Sequence, residues 1–369
     1  MVFDRISFHR PGRKPLQPAL GAEFARLEAA VAAEDAAGFE AAFRSLQQAV
    51  GRAAPADLST AGPRLAGMLA AVPPWPRAYL AVTTGACVEN GADPAACAEP
   101  ILTGVREALE GAVRFADLWQ QAGGGEELPE PQDDADPGEA AELLLAGADP
   151  DAPEAREVHR AVAAWWTLHL WEMASVAVLS HAAVRRAFAD SGALSELLRL
   201  ADRYAEVHHE LKCLTYAAAT LDEEPLLVLD RPSGTGYLMR MSGVVDNFQL
   251  HTLLAHVLIA GRHLGGEAPD RAAVDACRSA DVPPEQRPVT VGSFNLVAGD
   301  GSWIWNEGTP GDIPVLDGVR TLVLDPPSYR RSWPAGRFIP GISGDLTMVR
   351  VLTGQESAAA LAKVSPAAR

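Results

Sequence analysis

The sequence lacks a basic surplus. It carries 31 Lys and Arg against 48 Asp and Glu, a formal charge of −17. Nucleic acid and anionic membrane surfaces repel such a chain, so neither is expected as a partner. Cysteine is sparse: Cys87, Cys97, Cys213 and Cys277 are widely spaced and form no C-x-x-C pair. This excludes a disulfide scaffold and the usual zinc or redox spacings, and it predicts reduced, mostly buried thiols in a cytoplasmic protein. The basic start MVFDRISFHRPGRKPLQPAL has no apolar core, so it does not read as a secretory signal. No P-loop, G-x-G-x-x-G, G-x-S-x-G, H-E-x-x-H or kinase set occurs, and no cofactor is expected. The nearest Gly-rich element, Ser233-Gly-Thr-Gly236, opens no helix that would bind phosphate, and it reads as a hairpin turn.

One long apolar run is present, Ala161 to Val184. It carries His169, Glu172, Ser180 and His181, and an ionised Glu at mid-span is costly in lipid, so it reads as a buried core helix. With 48% hydrophobic and 21% charged residues, the chain can fill one large core or two ordinary ones.

Residues 1–18 show no periodicity and read as an extended arm. Helical stripes follow: Phe24, Leu27 and Val31, then Phe39, Phe43, Leu46 and Val50. A helix over Leu58–Ala71 is expected to stop at Val72-Pro-Pro-Trp-Pro76 and to resume at Arg77. Gly-Ala-Asp-Pro occurs at 91–94 and 147–150. Its residues punctuate helices: Gly closes one, Asp caps the next and Pro takes the first position. No ankyrin signature or period accompanies it. Ala122–Gly138 combines Gly, Pro and acids and predicts a mobile loop; Glu126–Glu139 holds seven acids and no base. Further helices are expected near 139–146, 152–189 and 192–221, the last with Leu197, Ala201, Tyr204, His208, Leu211, Thr215 and Ala218 on one face.

The period changes at Glu224. Strands are expected at 225–230, 237–242, 288–297, 302–306, 319–325 and 346–352. Asp246 and Gln249 read as a capping-box variant on a helix with the stripe Leu250, Leu253, Leu254, Val257 and Leu258, closed by Gly261. Thr353 and Glu356 form a regular box on a final helix. The expected fold is α+β: a helical bundle over 19–222, then a mostly antiparallel sheet over 223–369 with one or two helices covering one face.

Three sets of residues are chemical candidates. His251, with Asp246 or Asn247 fixing its tautomer and Glu307 as a second group, has the composition of an acid/base site; a capping network with a boundary histidine is the simpler account of the first three. The loop carrying Tyr329, Arg330, Arg331, Trp333 and Arg337, with Trp303 and Trp305 nearby in sequence, combines guanidinium groups and aromatics suited to an anionic group or peptide. The same arginines would serve equally to neutralise acids of the helical region. Glu206-x-x-His209 and His169-x-x-Glu172 place carboxylates and imidazoles one helical turn apart, an incomplete version of a bundle metal site. His169 and His208 also read as plain core histidines.

The C-terminal third, through Asp246-Asn-Phe-Gln-Leu-His251, Trp303-Ile-Trp-Asn-Glu-Gly308 and Arg331-Ser-Trp-Pro-Ala-Gly-Arg337, resembles a group of high-GC bacterial proteins without an assigned activity. That resemblance implies no site or cofactor. The leading expectation is a binding or accessory protein that takes a protein partner through its bundle and an anionic group or peptide through the Arg loop. The alternatives are an enzyme centred on His251 and a bundle metal site.

Overall fold

A computed structural model describes residues 20–125, 127–131, 135–146, 149 and 152–368. The expected arm and most of the second Gly-Ala-Asp-Pro copy lie outside these residues. The fold is α+β, helical first and then built on a sheet. The chain divides into two compact units, Met1–Leu179 with Arg199–Leu211, and Ser180–Leu198 with Lys212–Arg369.

The first unit contains α1 (Leu20–Ala32), α2 (Ala36–Val50), α3 (Pro55–Met68), α4 (Pro74–Glu89), α5 (Pro94–Gln121), α6 (Pro137–Leu144) and α7 (Pro153–Leu179). Punctuation follows the sequence. Gly91 takes φ +106°, the Asp93 carboxylate accepts from the Ala95 amide, and Pro94 opens α5. Pro74 and Pro76 do not delay α4 to Arg77 as expected; they form its first turn, where a missing N–H costs nothing. Helices α5 and α7 pack along a seam of small residues. A Cβ on Gly104 would stand 2.2 Å from the Trp171 ring, and one on Gly111 would stand 2.6 Å from Ala164. Phe115 lies 5.0 Å from Trp165 and 5.4 Å from Trp166, ring centre to ring centre. Helix α7 is long and apolar enough to cross a membrane, but 78% of its apolar window is buried inside the protein, as a core helix requires.

Two expected helices are interrupted. The 152–189 stretch breaks at Ser180-His181, where His181 turns extended (φ −100°, ψ 118°) ahead of α8 (Ala182–Asp190). The 192–221 stretch becomes α9 (Ala193–Ala205) and α10 (Lys212–Ala219), separated by a turn at 206–211. The single seven-residue face is therefore not formed. Stacking of the His208 ring on Trp165, centroids 4.8 Å apart, draws the chain off the helix axis. α8 and α10, read from sequence as part of the helical region, lie in the second unit.

The second unit is built on β1 (Glu224–Asp230), β2 (Thr235–Ser242), α11 (Asn247–Ala255), α12 (Arg271–Arg278), β3 (Val289–Val291), β4 (Asn295–Ala298), β5 (Val315–Leu316), β6 (Val319–Asp325), β7 (Ser332–Pro334), β8 (Asp345–Val351) and α13 (Gly354–Leu361). The main sheet runs β4-β6-β1-β2-β8, with β5 on β6. Only β1–β6 is parallel, and β3 pairs with β7 separately. Alternation assigns the faces: Leu226 and Val228 join Leu250, Leu253, Leu254 and Leu258, while Leu229, Val297 and Val323 gather on the other side with Ala360, Leu361 and Val364. The sheet is thus covered on both faces, not one, because α13 folds back over the second. Each fully buried Leu contributes about 2 kcal/mol to this core.

The expected 288–297 strand is split at Gly292–Phe294, and 302–306 forms a single bridge, Trp303 to Val297. Both departures have polar causes, found among the residues around His251.

Candidate functional sites

At the start of α11, Asp246 is the cap, accepting from the Gln249 amide at 2.7 Å. The Gln249 side chain reaches back past the cap to accept from the Val245 amide at 2.8 Å, and donates to the Cys277 carbonyl. Asn247 donates to the carbonyls of Trp305 (2.8 Å) and Thr309 (3.2 Å), which explains why 302–306 leaves the sheet. His251 is fully buried. Its Nε2 accepts from the amides of Ser293 (2.9 Å) and Phe294 (3.2 Å), which splits the 288–297 strand. Its ring meets Trp333 edge-on at 4.9 Å. Burial, with the Arg331 charge behind it, pushes the His251 imidazole down to about 3, against the opposing pull of Asn306. Burial pushes the Asp246 carboxyl up to about 6.

These contacts organise backbone. A ring nitrogen that already accepts two amides is not free to take a proton from a substrate. Neither Asp246 nor Asn247 makes the expected bond to the imidazole, and the Glu307 side chain is exposed; its carbonyl accepts from the Tyr216 hydroxyl. Structure brings Asp246, Asn247 and His251 together at one helix start and leaves Glu307 outside the buried group.

The Arg loop also turns inward. Arg337 donates to the carbonyls of Pro340, Ile342, Ser279 and Ala280. Arg331 donates to the Phe294 carbonyl and Asn295 Oδ1, both at 2.9 Å, and lies 5.5 Å from the Tyr329 ring. Arg330 and Tyr329 are exposed, and Trp333 is buried. Trp303 donates to the Ala368 carbonyl at 2.9 Å, whereas Trp305 is 69% exposed.

In the first unit, three indoles hold the described part of the acidic segment. Trp119 donates to Glu127 (3.2 Å), Trp165 to Pro129 (2.8 Å) and Trp166 to Ala135 (3.3 Å), each to a carbonyl. Glu130, next to Pro129, lies with its Oε2 3.6 Å from His208 Nε2, and the Nδ1 atoms of His208 and His209 are 3.2 Å apart. Burial and the His209 neighbour lower the His208 pKa, with Glu130 opposing. Among the described residues, Glu130, His208 and His209 are the group whose ligand atoms fall within 4.8 Å of one another. Of the residues expected to hold a metal, this group includes His209 and not His169, Glu172 or Glu206. The helical break removes Glu206 and His209 from a shared helix face. Glu172 is close enough to help raise the Tyr204 pKa, after burial and the Glu130 charge. Sequence periodicity had no means of finding Glu130, because its position is set by the Trp165 indole, 35 residues along the chain.

A groove of about 910 Å³ opens beside α2, lined by Val31, Phe39, Phe43, Val72, Trp75 and Tyr79 among others. Phe39 and Phe43 stack at 5.7 Å, while Trp75 and Tyr79 are 37% and 48% exposed. Glu34, Asp35 and Glu40 also line it, with Arg44 as the cation. The Asp35 carboxylate is committed to the Gly38 amide as the cap of α2. The stripe of α2 was legible in the sequence, and Tyr79 falls in the helix expected from Arg77, but Trp75 sits in the Pro-rich start of α4, which reads as a helix stop.

The molecule is thus an α+β protein of two units, with an aromatic groove and a histidine–carboxylate cluster in the first. Compared with known proteins, the chain matches no family model, no curated protein and no solved structure.

Proposed function

We propose that this is a binding or accessory protein of the bacterial cytoplasm whose helical unit takes an apolar segment of a protein partner into the groove beside α2. The observation that carries this reading is the pair of exposed aromatics, Trp75 and Tyr79, over the stacked Phe39 and Phe43. Aromatic surface left in water forfeits about 25 cal/mol for each Å² that a partner would cover, and aromatic anchors in pockets dominate binding energies. Exposed Glu34 and Glu40 at the rim favour a segment with Lys or Arg flanking its apolar residues. Helix-in-groove recognition has this form, with anchors at i, i+3 or i+4 and i+7. The free, mostly buried cysteines fit a reducing compartment. The Arg loop has no part in this reading, because Arg331 and Arg337 spend donors on carbonyls inside the second unit.

A displayed random-peptide library selected on the full chain tests it. Enrichment of peptides with spaced apolar anchors and basic flanks, abolished by Trp75→Glu or Tyr79→Glu, is the expected result. Selection that yields no common motif, or one indifferent to both substitutions, overturns the reading.

A further inference from the structure

We propose that Glu130, His208 and His209 form a binding site for one divalent cation of the zinc class. Two ligand atoms on a tetrahedral zinc ion, each about 2.0–2.1 Å from it, stand roughly 3.3 Å apart. His208 Nε2 and Glu130 Oε2 stand 3.6 Å apart, close to that edge, and the three residues offer ligand atoms that all lie within 4.8 Å of one another. Rotation of the exposed Glu130 and His209 side chains then brings a nitrogen from each imidazole and a carboxylate oxygen to a common point. Two imidazoles and one carboxylate suit zinc and its first-row neighbours; calcium and magnesium prefer all-oxygen sets.

A second observation points the same way. The His208 side chain is only 9% exposed, and its buried Nε2 has no hydrogen-bond partner. An unsatisfied buried polar atom costs on the order of 1–3 kcal/mol unless something completes it. A cation held by that nitrogen removes the cost.

The site is also supported from behind. Trp165 stacks on the His208 ring at an interplanar angle of 18°, and the same indole donates to the carbonyl of Pro129, the residue before Glu130. One buried side chain thereby positions ligands that are 78 residues apart in sequence. Glu130 and His209 are exposed, which leaves the remaining coordination positions to water. The competing account is a plain hydrogen bond between the two imidazoles, with no affinity for a cation.

The experiment is a titration of the chelator-treated full chain with Zn²⁺, followed by calorimetry, and with Co²⁺, followed by visible absorption. The wild type is expected to bind one Zn²⁺ saturably and to give the intense d–d bands of a tetrahedral Co²⁺ complex. His209→Ala and Glu130→Gln, both at exposed positions, are expected to weaken Zn²⁺ binding at least tenfold and to abolish those bands, whereas His159→Ala, at an exposed position on α7, leaves both unchanged. Absence of a saturable site in the wild type, or wild-type affinity retained in His209→Ala and Glu130→Gln, overturns the proposal.

Discussion

At the scale of single residues, His251 concentrates more consequence than any exposed candidate. Its neutral ring is tied to two backbone amides, and its folded pKa of about 3 lies far below the ordinary 6.5. The unfolded chain therefore takes up a proton near pH 6.5 that the native chain refuses until about 3. Stability from this residue is complete above pH 6.5 and drains away as pH falls toward 3. Asp246 works in the opposite sense: its native carboxyl, raised to about 6, holds a proton that the unfolded chain releases near 4, so this residue favours the native state more as pH falls from 6 to 4. The His251 window is wider and extends lower, so it dominates below pH 5. Urea unfolding of wild type and His251→Gln at pH 7 and pH 4.5 is expected to show the variant's deficit shrinking by about 3 kcal/mol on acidification, a shift of 1.36 kcal/mol per pH unit. An unchanged deficit would place the histidine's proton elsewhere.

At the scale of elements, the α5–α7 seam sets a tight packing requirement. Gly104 leaves room for the Trp171 ring, and even a methyl group would stand 2.2 Å from it. Overpacking of this kind costs about 1–3 kcal/mol. Gly104→Ala is expected at the upper end of that range by thermal or urea denaturation, and Gly104→Ala combined with Trp171→Phe is expected to recover part of the loss, the sign of direct contact in a double-mutant cycle. Elements also show what the sequence conveyed. The stripes of α1 and α2, the Asp93 and Asp246 caps, the Thr353 box and strands β1, β2, β6 and β8 were legible, because each depends on residues a few positions apart. Three departures come from distant side chains. His208 settles against Trp165 and ends α9, His251 draws two amides out of the 288–297 strand, and Asn247 captures the Trp305 carbonyl. The candidate sites divide in the same way: the composition around His251 was visible, but its role as a backbone anchor was not, and Glu130 acquired its neighbours only through the fold.

At the scale of the molecule, the two units do not meet at one point in the sequence. The chain passes between them after Leu179, Leu198 and Leu211. The second unit depends on its early part: Arg185 of α8 makes a buried two-point ion pair with Asp222, at 2.7 and 2.9 Å, and Tyr216 of α10 donates to the Glu307 carbonyl. Leaving one member of a buried ion pair alone costs about 3–5 kcal/mol, and a fragment that starts after both members loses the packing they anchor. A fragment of residues 180–369 is therefore expected to melt cooperatively and give a dispersed proton NMR spectrum, whereas 223–369 is expected to give neither; equal behaviour of the two would contradict the division. The triple passage also orders events during synthesis. Arg199–Leu211, which carries His208 and His209 and completes the first unit, leaves the ribosome after Ser180–Leu198 of the second, so the first unit cannot close until a stretch of its neighbour is already outside. Vectorial synthesis thus makes the last piece of the helical unit, and with it both imidazoles of the cation cluster, a late arrival: Glu130 and Trp165 must wait, 78 and 43 residues ahead of His208, for the segment that brings the histidines home.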